Sequence, residues 1–275
     1  MYDYLAIGHV TEDVWRDGSR TPGGTVMYSS LTAKAFLPRV AVLTAASASF
    51  DISAYPGIDV HRVESPTTTE FENIYANGHR TQVTRPSPVV LNASHLTPDL
   101  AKSRIAHLAP VCNEISVDLL KKLPASAFVG LTPQGWMRRW DAQGRVTQHP
   151  DQWADADVFL KRANAVVTSI EDVAGDWDVL HRWAQKTRLL VVTVGPRGCI
   201  AFADGKSITV PAPQVVEVDP TGAGDVFAAT FFITLEKHAD VARACAIANC
   251  VAAHSVTLPQ LQGLPTPADV RRCEN

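Results

Sequence analysis

The residues best suited to chemistry occupy eight consecutive positions, Val-Asp-Pro-Thr-Gly-Ala-Gly-Asp from Val218 to Asp225. Gly222, Ala223 and Gly224 carry little or no side chain, so their backbone N–H groups are unshielded and can bind an anion such as a phosphate. Asp225 at the rim of such a loop could accept a proton from a hydroxyl that attacks the phosphate. The pattern therefore predicts phosphoryl transfer, with Asp225 as the general base.

This loop needs flanking elements to position it. Residues 215–218 have the composition of a short strand, and the apolar residues 226–235 have the length of a helix. Together they predict a strand, a tight loop and a helix whose first turn adds its own unpaired N–H groups to the anion site. A simpler interpretation is also available, in which Asp225 is only a helix cap and the glycines only form a turn.

The composition indicates a folded protein that acts on small molecules. The chain has 275 residues, of which 46% are hydrophobic and 19% charged, and a net charge of −3. This charge gives no sign of a nucleic-acid or membrane partner, and the N-terminus lacks the pattern of a signal peptide, so we expect a cytoplasmic protein. Five cysteines without a Cys-x-x-Cys spacing predict reduced thiols, and Cys199, Cys245 and Cys250 are expected in the core.

Alternating apolar runs and helical patterns predict an α/β fold with a parallel sheet. Helices are expected at residues 26–36, 116–123 and 241–255, together with a short helix that starts near residue 266. A hairpin is expected at 67–83 with its turn at Asn77-Gly78, and a second hairpin at 199–210. Strands are expected at residues 4–7, 40–44, 104–110, 127–131, 165–168 and 189–194.

The glycine-rich segment resembles the C-terminal signature of the ribokinase-like carbohydrate kinases, the PfkB family. The match covers Asp219, Thr221, Gly222, Ala223, Gly224 and Asp225. The resemblance implies a three-layer α/β/α sandwich with a mostly parallel central sheet, and a single domain over residues 1–275. It also implies a small β lid from about 10–25 and 67–84, and an ATP-dependent transfer of the γ-phosphoryl group to a hydroxyl of a sugar or cyclitol.

The same resemblance assigns residues to the donor, the metal and a cation. Glu171 matches the glutamate of the family's Asn-x-x-Glu motif, which organises Mg²⁺ and its waters, although Thr168 stands where the asparagine would be. A monovalent cation such as K⁺ beside Asp219 is common in the family. The residues implied for the nucleotide are Thr193, Gly195, Gly198, Thr221 and Asn249.

For the acceptor, the resemblance implies Asp13 after the first strand, the pair Gly23-Gly24, and Gln134 with Arg138 in a stretch similar to that of inositol kinases. Tyr28 replaces the family's asparagine, which favours the inositol-kinase-like branch and a cyclitol or hexose-like acceptor over ribose. A nucleoside kinase that uses Trp15 or Tyr28 as a platform for the base stays an alternative, as does a silent binding protein with the same fold. The lid could also join two chains as a homodimer.

Overall fold

The computed structural model describes residues 1–15, 17–76 and 79–274, and fifteen strands lie within them. They are β1 (Tyr4–Ile7), β2 (Thr11–Val14), β3 (Arg20–Gly23), β4 (Val40–Ala46), β5 (Asp59–Glu64), β6 (Thr69–Ala76), β7 (His79–Arg85), β8 (Ile105–Leu108), β9 (Phe128–Leu131), β10 (Arg138–Trp140), β11 (Val146–Gln148), β12 (Ala165–Ser169), β13 (Leu189–Thr193), β14 (Cys199–Ala203) and β15 (Lys206–Val210).

The described residues also form eight α-helices and five 3₁₀ turns. The α-helices are α1 (Thr25–Phe36), α2 (Pro98–Ala101), α3 (Gln134–Met137), α4 (Ala156–Arg162), α5 (Trp177–Ala184), α6 (Ala223–His238), α7 (Val241–Ser255) and α8 (Pro267–Glu274). The 3₁₀ turns span Ile52–Ala54, Val117–Lys122, Pro150–Gln152, Gly195–Arg197 and Gln260–Gly263.

Nine strands form the main sheet in the order β15-β14-β13-β12-β9-β8-β1-β4-β5. The seven strands from β13 to β5 run parallel, and β14 and β15 add an antiparallel edge. Every residue of β1, β4 and β8 is buried, because helices cover both faces of a parallel sheet. This is why the central strands have continuous apolar sequences.

The side chains of each central strand divide between two cores, one on each face of the sheet. Leu5 and Ile7 point into the core covered by α4 and α5, whereas Tyr4 and Ala6 point into the core covered by α1, α6 and α7. Helix α6 lies very close to the sheet at Gly130, where an added Cβ would be 2.6 Å from the Phe232 ring. The three-layer α/β/α fold with a mostly parallel sheet is therefore confirmed.

A second, four-stranded sheet has the order β3-β2-β6-β7. Its strands fall in the predicted segments 10–25 and 67–84 except that β7 extends one residue further, to Arg85. Strand β2 runs parallel to β6, and the other pairs are antiparallel. The hairpin of β2 and β3 adds two strands to the predicted hairpin of β6 and β7. The predicted turn at Asn77-Gly78 lies outside the described residues.

The predicted strand at residues 215–218 is wrong. These residues form no regular element, and the side chain of Val216 is 83% exposed. The backbone N–H groups of Val218 and Asp219 instead both donate to the carbonyl of Val256. Pro211 and Pro213 precede the segment and have no N–H to donate, which disfavours a continued hydrogen-bond ladder beside β15.

The prediction of reduced thiols is also wrong for one pair of cysteines. Cys250 of α7 and Cys273 of α8 form a disulfide with a Cα–Cα distance of 5.8 Å. Because the two helices pack side by side, residues 23 positions apart in sequence become neighbours, which spacing alone could not reveal. Cys112, Cys199 and Cys245 are buried free thiols.

The helices of the described residues are short compared with a lipid bilayer. Crossing the hydrocarbon core takes about 20 apolar residues, whereas α6 has 16 residues. Within residues 1–15, 17–76 and 79–274, no helix combines the length and the apolar character that a membrane span requires.

Candidate active site

Two adjoining cavities lie where the parallel strands end. The outer cavity, of about 490 Å³, lies between the small sheet and the amino ends of α1 and α6, and the inner cavity, of about 180 Å³, lies over the ends of β12 and β13. Gln134, Gly222 and Asp225 line both of them. In open α/β sheets ligands bind at the carboxyl ends of strands, so the fold itself indicates this site.

The glycine-rich loop has a fixed backbone. Asp219 holds it from both sides, since Oδ1 accepts from Thr221 N at 2.9 Å and Oδ2 accepts from Gln260 N at 3.0 Å. Gly222 has a φ of 78°, and an added Cβ there would overlap the ring of Tyr28. A side chain is therefore excluded at Gly222 both by its backbone conformation and by the close contact.

Fewer backbone amides of this loop are available to bind an anion than the sequence predicted. The N–H group of Ala223 donates to the carbonyl of Pro220 at 3.1 Å, so this amide already has a partner. Gly222 and Gly224 line the inner cavity, at the amino end of the 16-residue helix α6. The two glycines therefore carry the prediction that phosphate binds here, supported by the first turn of the helix.

Asp225 lies in the first turn of α6 and faces both cavities. Burial raises the pKa of its carboxyl to about 7, and the charge of Asp172 adds to this rise, whereas the nearby Thr25 hydroxyl and the charge of Arg138 oppose it. A carboxyl group that titrates near neutral pH can accept a proton and also release it, which suits a general base.

Sequence reasoning missed Asp172, the acid that accompanies Asp225 in the inner cavity. Its Oδ2 accepts from Ser169 N at 2.9 Å and from Thr168 Oγ1 at 3.3 Å, at the end of β12. The predicted metal residue, Glu171, is exposed and lines the outer cavity instead. Asp172 could have been identified from the sequence, because it lies next to Glu171 just after a buried strand.

The acidic residues here fit a magnesium ion that is held only partly by protein. Among residues 1–15, 17–76 and 79–274, no three His, Cys, Asp or Glu side chains are grouped closely enough to hold a metal by themselves. Mg²⁺ usually keeps several waters and binds through one or two carboxylates together with substrate phosphates. Glu171 and Asp172 fit this pattern if the donor's phosphates supply the remaining ligands.

Gln134 and Arg138, predicted to bind the acceptor, are bonded to each other. Gln134 Oε1 accepts from Arg138 Nη2 at 2.8 Å, and Gln134 Nε2 donates to Thr25 Oγ1 at 2.9 Å. Arg138 Nη1 donates to the carbonyl of Val111 at 3.0 Å, and its guanidinium carbon lies 5.2 Å from the centre of the Phe71 ring. Both side chains line the outer cavity, but much of their hydrogen-bonding capacity is used within the protein.

The other predicted acceptor residues meet at the outer cavity. Asp13 of β2 lines it, and an added Cβ at Gly23 would lie 2.8 Å from Asp13 Oδ2. Gly24 has a φ of 92° and leads directly into α1, which carries Tyr28. Burial raises the pKa of the Tyr28 phenol, as do the nearby charges of Asp13, Asp225 and Asp219, so the phenol stays neutral. The small sheet also contributes residues that sequence reasoning left out, namely Phe71, Asn73 and Gln82.

Only some of the residues predicted to bind the nucleotide line one of the two cavities. Thr193 lines the inner cavity, and Thr221 lines the outer one. Gly195 begins the 3₁₀ turn after β13 and Gly198 follows it, with φ values of 61° and 97°, and neither glycine lines the inner or the outer cavity. Asn249 differs from its prediction, because its amide is buried and donates to the carbonyl of Val210 at 2.9 Å, where it holds the end of β15.

Comparison with known proteins agrees with this site. The model of the pfkB family of carbohydrate kinases matches residues 57–268, which include the loop at Gly222–Asp225 and the strands that lead to it. The chain belongs to this family. The predicted family, the fold and the assignment as a kinase are thereby confirmed, and the family is one of kinases for sugars and related polyols.

Individual relatives differ in their acceptors. The chain is 27% identical over 228 residues to a probable fructokinase-5 of Arabidopsis thaliana, covering 75% of this chain and 70% of that protein. It is 25% identical over 256 residues to a cytidine kinase of Thermococcus kodakarensis, covering 84% and 87%. A pyrophosphate-dependent kinase of the ribokinase family, solved with a pyrophosphate analog and myo-inositol, superposes with a TM-score of 0.80 over 98% of this chain and 99% of that one, at 21% identity.

Proposed function

We propose that this pfkB-family kinase transfers the γ-phosphoryl group of ATP to a hydroxyl of a cyclitol or hexose-like acceptor. The observation that carries the proposal is the position of Asp225, whose carboxyl faces both the inner cavity at Gly222 and Gly224 and the outer cavity at Asp13. A donor phosphate in the inner cavity and an acceptor in the outer one would meet at this carboxyl. Phosphoryl transfer requires such an in-line arrangement.

Each residue of the site would have a distinct task. Asp225 would orient the attacking hydroxyl and take its proton, and the N–H groups of Gly222 and Gly224 would bind the negative charge on the transferring group. Mg²⁺, held through Glu171 and Asp172, would neutralise charge on the donor phosphates. Asp219 is the residue at which K⁺ would bind, although its carboxylate already accepts two backbone N–H groups.

The acceptor class is argued from the walls of the outer cavity. Tyr28 presents a flat ring at the amino end of α1, and Asp13 presents a carboxylate opposite the glycine pair. A ring face packs well against the flat side of a six-membered polyol, while a carboxylate accepts bonds from two neighbouring hydroxyls. The neighbouring structure that contains myo-inositol supports the same choice.

A nucleoside is the second candidate, and a specific group of residues favours it. Trp15 lines the outer cavity with its indole N–H bonded to Thr21 Oγ1 at 3.0 Å, and Gln82 Nε2 donates to Asn73 Oδ1 at 3.2 Å on the small sheet. An aromatic ring with amide groups nearby could stack on a base and hydrogen-bond to its edge. The relative named cytidine kinase covers more of this chain than the fructokinase does.

A panel of acceptors separates the two candidates. We expect phosphorylation of a cyclitol or hexose with kcat/KM at least tenfold above that of any nucleoside or ribose. Asp13→Ala should raise the acceptor KM, and Trp15→Ala should not. If a nucleoside is preferred and Trp15→Ala raises its KM, the nucleoside assignment replaces the cyclitol one. Trp140→Ala is the matched control, because Trp140 is also a partly exposed tryptophan but lies outside both cavities.

The donor can be tested in the same assay. ATP is bound in solved structures of ribokinase-family kinases, and the solved neighbour that depends on pyrophosphate makes pyrophosphate the competing donor to include. Turnover with pyrophosphate but not ATP would contradict the proposal. The action of the small sheet as a lid, a homodimer formed through it and a cytoplasmic location stay predictions, which acceptor-bound structures, sedimentation and cell fractionation would test.

A further inference from the structure

We propose that Glu114 is a positioning residue for acceptor binding, because its buried carboxylate fastens the segment that leads to Asp13 to the main sheet. The inference rests on the proposed function, in which Asp13 binds the acceptor. Glu114 follows β8 and had no role predicted from the sequence. It lines neither the inner nor the outer cavity, so it would act through other residues and not by touching the acceptor.

The carboxylate of Glu114 is an unusual group to find in the interior, since the residue is only 2% exposed. A glutamate is almost never buried to this extent unless its charge is compensated, because a buried charge loses its stabilisation by water. Here the compensation comes from the backbone. Three N–H groups donate four hydrogen bonds to the two carboxylate oxygens.

These three N–H groups belong to two different segments of the chain. Oε1 accepts from His9 N at 2.9 Å, and His9 lies between β1 and β2. Oε2 accepts from Cys112 N at 2.7 Å, and both oxygens accept from Val111 N, at 2.9 and 3.1 Å. Val111 and Cys112 lie in the loop after β8, where Val111 lines the outer cavity. The carboxylate therefore bridges the start of the small sheet to the main sheet.

Two other segments that connect the small sheet to the rest of the chain meet at the same place. His9 Nδ1 is hydrogen-bonded at 2.9 Å to Thr69 Oγ1, at the start of β6, and this oxygen also accepts from Ser87 N at 3.0 Å, just after β7. The carbonyl of Glu114 accepts from Leu91 N at 2.7 Å, farther along the segment that follows β7. His9, Thr69, Leu91 and Glu114 thus form a junction that holds the segments before β2, before β6 and after β7.

Asp13 lies close enough to the junction to depend on its geometry. Strand β2 runs parallel to β6 with Thr11 opposite Thr69, and Asp13 is two residues further along β2. Strands rise about 3.3 Å per residue, so Asp13 is roughly 7 Å beyond Thr11. A tilt of about 10° at Thr11 would move Asp13 by about 1 Å, whereas hydrogen-bond lengths vary by only about 0.5 Å. The junction therefore decides whether the Asp13 carboxylate can reach the hydroxyls of the acceptor.

The donor side of the site is built on other elements. Asp225 belongs to α6, and the glycine-rich loop before it is held by the two hydrogen bonds that Asp219 accepts. Loss of the Glu114 carboxylate should therefore weaken acceptor binding and leave donor binding as it was. A general weakening of the fold would affect both sides, so the KM values of donor and acceptor distinguish positioning from a merely structural role.

The test is Glu114→Gln, which nearly keeps the shape and replaces one carboxylate oxygen by an amide nitrogen. This nitrogen cannot accept a hydrogen bond, so the N–H of either His9 or Cys112 loses its acceptor. Because hydrogen bonds to a charged group are among the stronger ones, we expect the acceptor KM to rise about tenfold, while kcat and the donor KM change less than about threefold. Asp118→Asn is the matched control and should keep the wild-type acceptor KM, because Asp118 also accepts a backbone N–H, from Ala93 at 3.3 Å, but lies outside the junction.

Thr69→Val tests the junction from its other side, since valine nearly keeps the shape and removes the hydroxyl that is bonded to His9 and Ser87. It should also raise the acceptor KM and leave the donor KM unchanged. A wild-type acceptor KM in folded Glu114→Gln would overturn the proposal, and so would an equal rise of both KM values. If Glu114→Gln fails to fold, Thr69→Val decides by the same criteria. Failure of both variants to fold would also overturn it, because the junction would then serve the fold and not acceptor binding.

Combining Glu114→Gln with Asp13→Ala separates this inference from the proposed function. Because Glu114 acts through Asp13, the double variant should have an acceptor KM within about twofold of that of Asp13→Ala alone. Multiplied increases would overturn the positioning role. An unchanged acceptor KM in Asp13→Ala would refute the acceptor site of the proposed function itself, whereas a raised KM in Asp13→Ala with an unchanged one in Glu114→Gln refutes only the inference.

Discussion

Replacing Asp225 by asparagine should damage catalysis and stabilise the fold, and the second effect depends on pH. Asparagine has nearly the same shape, but it cannot carry a charge or accept a proton. We expect kcat to fall by about 100-fold or more, since a positioned general base contributes about 10² to 10⁴. The change in stability follows from the titration of the native carboxyl.

Burial raises the pKa of Asp225 from 3.8 to about 7, so the folded protein binds this proton more tightly than the unfolded chain does. Stability contributed by such a group is present at low pH and is lost as the pH rises from about 4 through about 7. With these two values, the wild-type protein loses at most about 2.6 kcal/mol between pH 5 and pH 8 through this one carboxyl. Asparagine does not titrate, so the variant avoids this loss.

The assay is urea denaturation of both proteins at pH 5 and pH 8, with kcat measured on the same samples. The gap in free energy of unfolding should grow by about 2 kcal/mol in favour of Asp225→Asn, or roughly 5 °C in Tm for a chain of this size. Asp204→Asn is the control, because Asp204 is exposed in the β14–β15 turn and should keep the wild-type pH dependence. If Asp225→Asn and the wild type lose the same free energy of unfolding between pH 5 and pH 8, the reasoning is refuted.

Three further predictions concern the rest of the chain. Cys273→Ser should lower the free energy of unfolding by about 3 kcal/mol, because Cys250 and Cys273 close a loop of 23 residues, and reductant should destabilise the wild type but not the variant; equal sensitivity to reductant would contradict this. Gly222→Ala should lose stability and activity because its Cβ overlaps Tyr28, whereas Gly224→Ala, which meets nothing within 4 Å, should keep its Tm. Excess chelator should abolish phosphorylation and added Mg²⁺ should restore it; undiminished turnover with chelator would exclude the metal.

The main sheet could be predicted because its strands are buried on both faces. Continuous apolar runs such as residues 40–46 and 189–193 leave little alternative to parallel strands between helices. The hairpin of β2 and β3 was harder to see, since its strands have four residues each, include Pro22 and carry exposed charges. Its partner is β6, more than 50 residues away, and sequence patterns within a hairpin carry no information about such a partner.

The residues of the candidate site likewise fall into those that a local motif predicts and those that only the folded chain brings together. The positions of Gly222 and Asp225 follow from a local motif, because a turn, a positive φ and a helix start are all set within a few residues. Asp172 could not be assigned, since its place in the site comes from sharing the inner cavity with Asp225, which lies 53 positions away in the numbering. The disulfide between Cys250 and Cys273 was missed for the same reason.

The acceptor side shows what a motif leaves undetermined. Gln134 and Arg138 were assigned to the acceptor because their stretch resembles that of inositol kinases, and both do line the outer cavity. In the structure their strongest partners are each other, Thr25 and Val111. Because part of the hydrogen-bonding capacity of these two side chains is used within the protein, they contribute less to acceptor affinity than to the geometry of the cavity. For this reason the identity of the acceptor should depend more on Asp13, Tyr28 and the small sheet than on the stretch that resembles inositol kinases.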